Sequence, residues 1–322
     1  MSEKQRYILQ QYLFMALDPI HVGTGGYRLG WVDNSIAREP GTRLPKIPGT
    51  SLHGAARSYA AYLYGTPDAA GQKMENIDQP DKNPICYTFG YLKGNRMASG
   101  VVNIFDAQIL LFPVHSMVGP VWVSTPERLK EAGFTVGDNR QIPEDRIRLT
   151  WYHSRRLNLG WLMLDVEQQV TVTPPEDTKW QTEERWQAVQ NRIVLVADAL
   201  FGHIVNSNLE VRTSVSINPH TGAAEEKALF TYEAIPRSTF LTADVVLDDY
   251  RANNPNKKRP FPAKTPQGND WDNPLEVVAA GLKMMAYLGV GGMGTRGFGR
   301  LTPIGQPKEE NLLQEDIKEK AQ

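Results

Sequence analysis

Two glycine-rich segments hold the residues best suited to chemistry on an anion. The first, residues 19–57, carries His21, the isolated acid Asp33, a Pro-Lys-Ile-Pro-Gly turn with Lys46, and then Ser51, His53 and Arg57. The second, residues 289–301, carries Gly292, Gly294, Arg296 and Arg300. Glycine lets a backbone approach closely and take positive φ, and clustered N–H groups form anion-binding concavities. Lys46, Arg57, Arg296 and Arg300 add cations suited to phosphates. Singly, each also reads as a surface cation; together they predict a backbone lying against something large and anionic. Asp33 stands in a Gly-rich loop before Asn34, where the common role of Asp is to cap a turn. His21, with an ordinary pKa near 6.5, suits either a general base or a hydrogen bond to its own loop.

Other chemistries find less support. Gly292-Met-Gly294-Thr-Arg-Gly297 matches GxGxxG, but that pattern needs a strand before it and a helix after it, and here a helix is expected first. There is no GxxxxGK[ST], no HExxH and no GxSxG. A Ser-His-Asp triad stays open on sequence. The six histidines are scattered without metal-ligand spacing. A nucleotide-dependent metabolic enzyme using the glycine loop remains the reading from a different class.

The elements that must position these residues come next. With 322 residues, 41% hydrophobic and 22% charged, the chain can bury a full core. A net charge of −1 argues against a uniformly basic nucleic-acid coat but not against a local basic groove. Cys86 is the only cysteine, so neither an intrachain disulfide nor a Cys-based zinc site is possible, and a reducing compartment is expected. The N-terminus lacks a signal-peptide layout and no apolar run reaches ~18 residues, so the expected location is cytoplasmic, with no membrane partner.

Residues 7–17 read as a strand ended by Asp18-Pro19. Thr50 or Ser51 is expected to cap a helix ending at Gly65, and residues 66–84 read as a polar, disordered or loop-like stretch. Residues 101–113 read as a strand, and 121–133 as a strand turning helical at Pro126 with Ser124 or Thr125 as cap. Trp186, Val189, Ile193, Val196, Ala197 and Leu200 recur at helical spacing, predicting one core helix over 180–204. Residues 209–247 alternate around a Pro-His-Thr-Gly turn and read as a long hairpin. Residues 250–274 read as a loop and 274–288 as a helix, and the charged tail 307–322 is expected to fray. Without regular βαβ alternation, the class is α+β, a single domain over 1–322 with large insertions.

Several runs resemble the RAMP superfamily of CRISPR proteins, and within it the Cmr-type backbone subunit of type III effector complexes, in the Cas-seven group. They are Pro19-Ile20-His21-Val22-Gly23, Val32-Asp33-Asn34, and the stretch Leu44 to Arg57. Residues 105–116 with the TrpValSerThrPro that follows resemble an internal strand and turn. Cys86–Gly90 resembles a phenylalanine-glycine loop, residues 228–236 a thumb's return strand, and residues 289–301 the C-terminal glycine signature. His53 stands where relatives more often carry Lys.

The resemblance implies an RRM-like (ferredoxin-like) palm with insertions and a projecting β-hairpin thumb at 207–238. Copies would stack as a filament along a CRISPR guide RNA, beside other subunits of the complex. Each thumb would wedge the guide–target duplex with apolar residues such as Ile217, Leu229 and Phe230. The single-stranded target RNA would be cut once per subunit in a reaction needing a divalent metal, Mg²⁺ or Mn²⁺. Asp33 matches the acid required for cutting and is the candidate metal ligand. His21 would act as base or as a hydrogen-bonding partner of loop or RNA, and Glu233 would help at a neighbouring copy's cut site or be a solvated strand-edge acid. Lys46, Ser51, His53, Arg57, Gly292, Gly294, Arg296 and Arg300 would line the RNA path. Met293 and Phe298 would touch nucleotides or pack the loop. A scaffold of the same superfamily that binds guide RNA without cutting is the alternative.

Overall fold

The computed structural model describes residues 7–24, 32–71, 74, 76–138, 140–252, 259–268 and 270–312. The expectations for residues 25–31, for 253–258 and for the tail 313–322 lie outside them.

Six elements form the centre: β1 (Tyr7–Ala16), α1 (Gly49–Leu63), β2 (Ala107–Ser116), β3 (Phe240–Asp248), α2 (Pro274–Leu288) and β4 (Leu301–Asn311). Their strands lie side by side in the order β2-β3-β1-β4, each neighbour antiparallel. The sheet continues beyond β2 through Gly119–Ser124, Ile193–Leu195, Arg146–Leu149, Leu162–Gln169 and Leu157–Leu159, and two of those pairings are parallel. The architecture is therefore mixed α/β around one large mixed sheet.

Where the central strands are buried on both faces, at Tyr12–Phe14 of β1 and Ile109–Phe112 of β2, the sequence is a continuous apolar run. Side chains alternate between faces. Tyr12, Phe14 and Ala16 of β1 join the core with Leu52, Ala56 and Ala60 of α1 and Val278 and Leu282 of α2. Leu13, between them, joins Leu110 and Leu111 of β2, Phe240 of β3, and Phe134, Trp180 and Trp186. The two helices touch at backbone distance: a Cβ on Gly281 would stand 2.2 Å from the Ala56 carbonyl oxygen. Gly281→Ala would force them apart.

The helix at 274–288, the strand at 7–16 and the Thr125-capped turn into Pro126–Glu131 agree with the sequence reading. The 180–204 helix does not. The chain there makes 3₁₀ turns, a one-turn helix Glu184–Gln187, a strand Ile193–Leu195 parallel to Gly119–Ser124, and a longer helix only at Asp198–Ser207. Trp186, Val189, Ile193 and Val196 are buried as expected, but a β-branched run finding a partner strand overrides helical spacing. Neither Thr50 nor Ser51 caps α1: Pro48 occupies that position, and Asp106, from just before β2, accepts the Gly49 N–H at 2.7 Å. Residues 66–84 include 3₁₀ turns at Pro67–Ala70 and Pro80–Lys82, with Ala69, Met74 and Ile77 buried. Cys86 and Phe89 lie in a helix, Pro84–Phe89, capped by Asn83, rather than in a loop. The hairpin spans Glu210–Ile217 and Ala224–Ala234, while residues 240–248 belong to the large sheet. Beyond Pro307 the chain continues β4 to Asn311 against β1, not as a frayed tail.

Candidate functional site

The base of the hairpin, the loop after β1 and the glycine loop before β4 converge. Asn34 forms an isolated bridge beside Tyr232, its N–H bonded to the Thr231 carbonyl and its carbonyl taking the Glu233 N–H, both at 3.0 Å. The loop after β1 is thus stitched along the hairpin's return strand.

Asp33 is exposed, and its Oδ2 accepts the Thr231 N–H at 2.7 Å and the Thr231 hydroxyl at 3.0 Å. The Thr231 backbone bond, then its hydroxyl bond, hold the carboxyl below its usual range, so it stays ionised at neutral pH. Asp33 therefore does more than cap a local turn: it ties two segments 198 residues apart.

His21 is buried at 6% exposure, its Nδ1 2.6 Å from the Glu233 carbonyl oxygen and its ring edge-on to Tyr232. Its own carbonyl accepts the Gly292 N–H at 2.8 Å. Glu233 is not a solvated strand-edge acid. Its carboxylate takes both terminal nitrogens of Arg38 at 2.9 Å each, with both side chains about 15% exposed (14% and 15%). Arg38 also reaches Asn206.

The glycine loop lies against the same region. Gly291, at φ +87°, leaves a Cβ position only 2.5 Å from the His21 carbonyl oxygen, so only glycine fits. Gly292 thus gives its N–H to His21, not to an anion concavity, while Gly294 faces open space. Ser51 and Tyr59 of α1 line a cleft of about 360 Å³ with Gly289, Gly291, Gly294 and Phe298. Phe298 is buried against Tyr232 and under the Arg212 guanidinium, with Met293 and Phe230 packed on that cluster. Phe298 and Met293 thus pack the loop.

The expected cations part ways. Arg296 is exposed, 5.9 Å from the Phe230 ring centre, and makes no ion pair among the described residues. Arg300 pairs with Asp18, which lowers the acid's pKa. Lys46 is not free: its Nζ sits 2.7 Å from Glu39 and 2.6 Å from Asp106, and these bonds raise its pKa. Arg57 gives Nε and a terminal nitrogen to the Ala69 carbonyl, holding the 66–71 turn on α1. His53 is half-buried edge-on to Phe89, and burial lowers its pKa. Lys46, Arg57 and His53 each have an intramolecular partner and so each has a role within the fold.

The hairpin's faces differ. Val215 lies opposite Leu229 and both are exposed, as are Val211 and Ile217. Alternation puts Leu229, Thr231 and Glu233 on one strand face, while Phe230 turns to the glycine loop. The apolar stripe and the grip on Asp33 thus share a face. Thr231 and Arg38 escaped the sequence reading, since their partners are almost two hundred residues away.

A protein-caged metal does not fit these residues. No group of three or more His, Cys, Asp or Glu side chains converges among the described residues, and one oxygen of Asp33 is taken by Thr231. The GxGxxG reading fails as well: a helix precedes the loop and a strand follows it, the reverse of a dinucleotide site. No helix among the described residues is long and apolar enough to cross a membrane.

A family model described as the RAMP superfamily matches residues 13–302. Over 304 residues the chain is 27% identical to the CRISPR system Cmr endoribonuclease Cmr4 of Pyrococcus furiosus, covering 88% of this chain and 90% of that protein. Over 93 residues it is 38% identical to the CRISPR system Cms endoribonuclease Csm3 of Enterococcus italicus, covering 28% of this chain and 41% of that one. The fold is similar to a chain in the type III-B Cmr-beta complex bound to cognate target RNA, with a TM-score of 0.60 at 14% identity over 92% of this chain and 97% of that chain. It is also similar to oligomeric Cmr4 from Pyrococcus furiosus, with a TM-score of 0.55 at 19% identity over 94% and 99%. At these identities the two structures speak for the fold.

Proposed function

The chain belongs to the RAMP superfamily, and from that premise we propose that it is the backbone subunit of a type III, Cmr-type CRISPR complex that binds guide RNA and cuts the paired target RNA once per subunit. Relatives named as endoribonucleases of two CRISPR systems support this reading, as does a fold shared with subunits of a target-bound complex and of an oligomer. The partners are guide RNA, single-stranded target RNA, further copies of this chain and other subunits. The order β1-α1-β2-β3-α2-β4, with sheet order β2-β3-β1-β4, supports an RRM-like palm, and the hairpin at its side supports the thumb.

One observation carries the cutting role: the ionised Asp33 is held on the hairpin face that also bears the exposed Leu229. A hairpin wedged into a guide–target duplex would bring an unstacked target nucleotide beside that acid. RNA supplies its own nucleophile. The 2′-hydroxyl oxygen bonds to the adjacent phosphorus, the bond to the 5′-oxygen breaks, one proton leaves the hydroxyl and one reaches the departing oxygen. Kinking aligns the attack in line, and positioning alone supplies a large part of such a rate. An acid held below its usual pKa is a poor proton acceptor, so Asp33 acts by orienting and by charge. A hydrated Mg²⁺ or Mn²⁺ would take at most one Asp33 oxygen, drawing its other ligands from water and RNA phosphates, and would neutralise phosphate charge.

The tie between Asp33 and Thr231 also favours a second reading, a scaffold in which Asp33 only secures the loop. Cleavage of guide-matched RNA by the reconstituted complex, wild type against Asp33→Ala, separates the two: cutting lost in the variant supports the cutting role, whereas full cutting by the variant removes Asp33 from the chemistry and leaves it the loop-securing role of the scaffold reading.

A further inference from the structure

We infer that Thr231 is the positioning residue for Asp33, so that the hairpin's return strand, and not the loop alone, sets where the acid sits. This rests on the cutting role proposed for Asp33. Three bonds join the two residues: the Thr231 N–H and hydroxyl reach Asp33 Oδ2 at 2.7 and 3.0 Å, and the Asp33 N–H reaches the Thr231 hydroxyl oxygen at 3.1 Å. The hydroxyl thus donates to the carboxylate while accepting from the same residue's backbone, which fixes both the loop and the side-chain torsion.

The rest of the strand reinforces that register. Asn34 trades backbone bonds with Thr231 and Glu233, and the Ile36 N–H reaches the Glu233 carboxylate that already grips Arg38. Residues 33–38 are therefore pinned at both ends to a strand whose far part carries the exposed Ile217 partner face and Leu229. A shift of the hairpin's base carries Asp33 with it. The part that meets the duplex and the part that holds the acid belong to one continuous strand, Ala224–Ala234, which links wedging to cutting without a separate signal.

Valine at 231 keeps the shape and the backbone N–H but removes both hydroxyl bonds, whereas serine keeps them. In the reconstituted complex, Thr231→Val is expected to lower kcat about tenfold or more, the loss that goes with a hydrogen bond to a charged group. KM and target affinity should stay within about twofold, because positioning acts on the transition state and not on uniform binding. Thr231→Ser is expected to restore kcat to near wild type. Wild-type cutting by Thr231→Val overturns the inference, as does a Ser variant that fails to restore it, or a loss of kcat matched by an equal loss of target binding. Asp33→Ala run alongside distinguishes the failures: if it cuts fully, the cutting role of Asp33 is what fails; if it is dead while Thr231→Val is unimpaired, only the positioning role does.

Discussion

Glu233 grips Arg38 with both carboxylate oxygens, each 2.9 Å from a guanidinium nitrogen, while its backbone carbonyl meets His21 Nδ1 at 2.6 Å. One residue thus ties the loop after β1 and the buried histidine to the hairpin base. A bidentate pair of this kind is a geometric constraint more than a source of reactive groups.

Breaking the pair should therefore cost stability before chemistry. Arg38→Met leaves a largely buried carboxylate without its partner and is expected to destabilise the chain by about 1–3 kcal/mol. Glu233→Gln should cost less, because an amide still accepts one of the two bonds. The double variant should be less destabilised than the sum of the singles, with a coupling of about 0.5–3 kcal/mol, since both act on one contact. Urea unfolding of the four proteins measures this; strict additivity would mean the pair is not the contact that matters.

Asp33→Ala should abolish target cutting while assembly and target binding stay near normal. The pH dependence follows from the direction of its shift. The Thr231 bonds depress the folded-state pKa, so their contribution is present above the ordinary Asp value of about 3.9 and is lost only as pH falls through the lowered one. Cutting should then show no acid limb from Asp33 between pH 7 and about pH 5. A carboxylate-type limb near pH 6 whose midpoint moves in Thr231→Val, which keeps Asp33 and residual cutting, would contradict the assigned shift.

What the sequence showed depended on how local the determinant was. The strand at 7–16, the helix 274–288 with its Asn273-Pro274 start, and the hairpin alternation are written in contiguous residues. The glycine loop was legible too, although the close approach of Gly291 to His21 was not. The stretch 180–204 misled, because burial on all sides erased the difference between helical and strand spacing, and the partner of Ile193–Leu195 lies at 119–124. The intramolecular partners of Lys46 and Arg57 were hidden for a related reason. A cation's role depends on whether an acceptor is nearby in space, and Asp106 and the Ala69 carbonyl could not be placed from sequence spacing.

That difference changes what is expected of the cations. Arg296→Ala should weaken guide RNA binding alike for all guide sequences and lower the salt slope by about 0.7, one phosphate's share on a single strand. Lys46→Ala and Arg57→Ala should leave the slope unchanged and lower the melting temperature instead, because they lose intramolecular partners. Titrations of guide binding at several salt concentrations decide this. A slope lowered equally by Lys46→Ala would mean that its two ion pairs open to admit RNA.

The hairpin offers the most direct test of how cutting is spaced. Val211 at the base, and Val215, Ile217 and Leu229 beyond it, are exposed on one face, and the turn is closed by Gly222 N–H to the Asn218 carbonyl. Four apolar side chains left in water on a narrow two-stranded ribbon have no core to join, since the ribbon's opposite face at its base already packs on Phe298. Unstacking a base step costs a few kcal/mol, offset by contacts to the bent strands, and apolar side chains are the groups that do it. Deleting residues 220–226 removes the turn yet keeps the pairing of Glu210–Val215 with Leu229–Ala234, and with it the Thr231 grip on Asp33. The shortened chain should fold and assemble, and should cut more slowly. Leu229→Ser, which removes a wedge residue without shortening the chain, should do the same. If both complexes cut with wild-type rate and spacing, the hairpin is not the wedge, and the regular cuts must be set by the stacking of the copies alone.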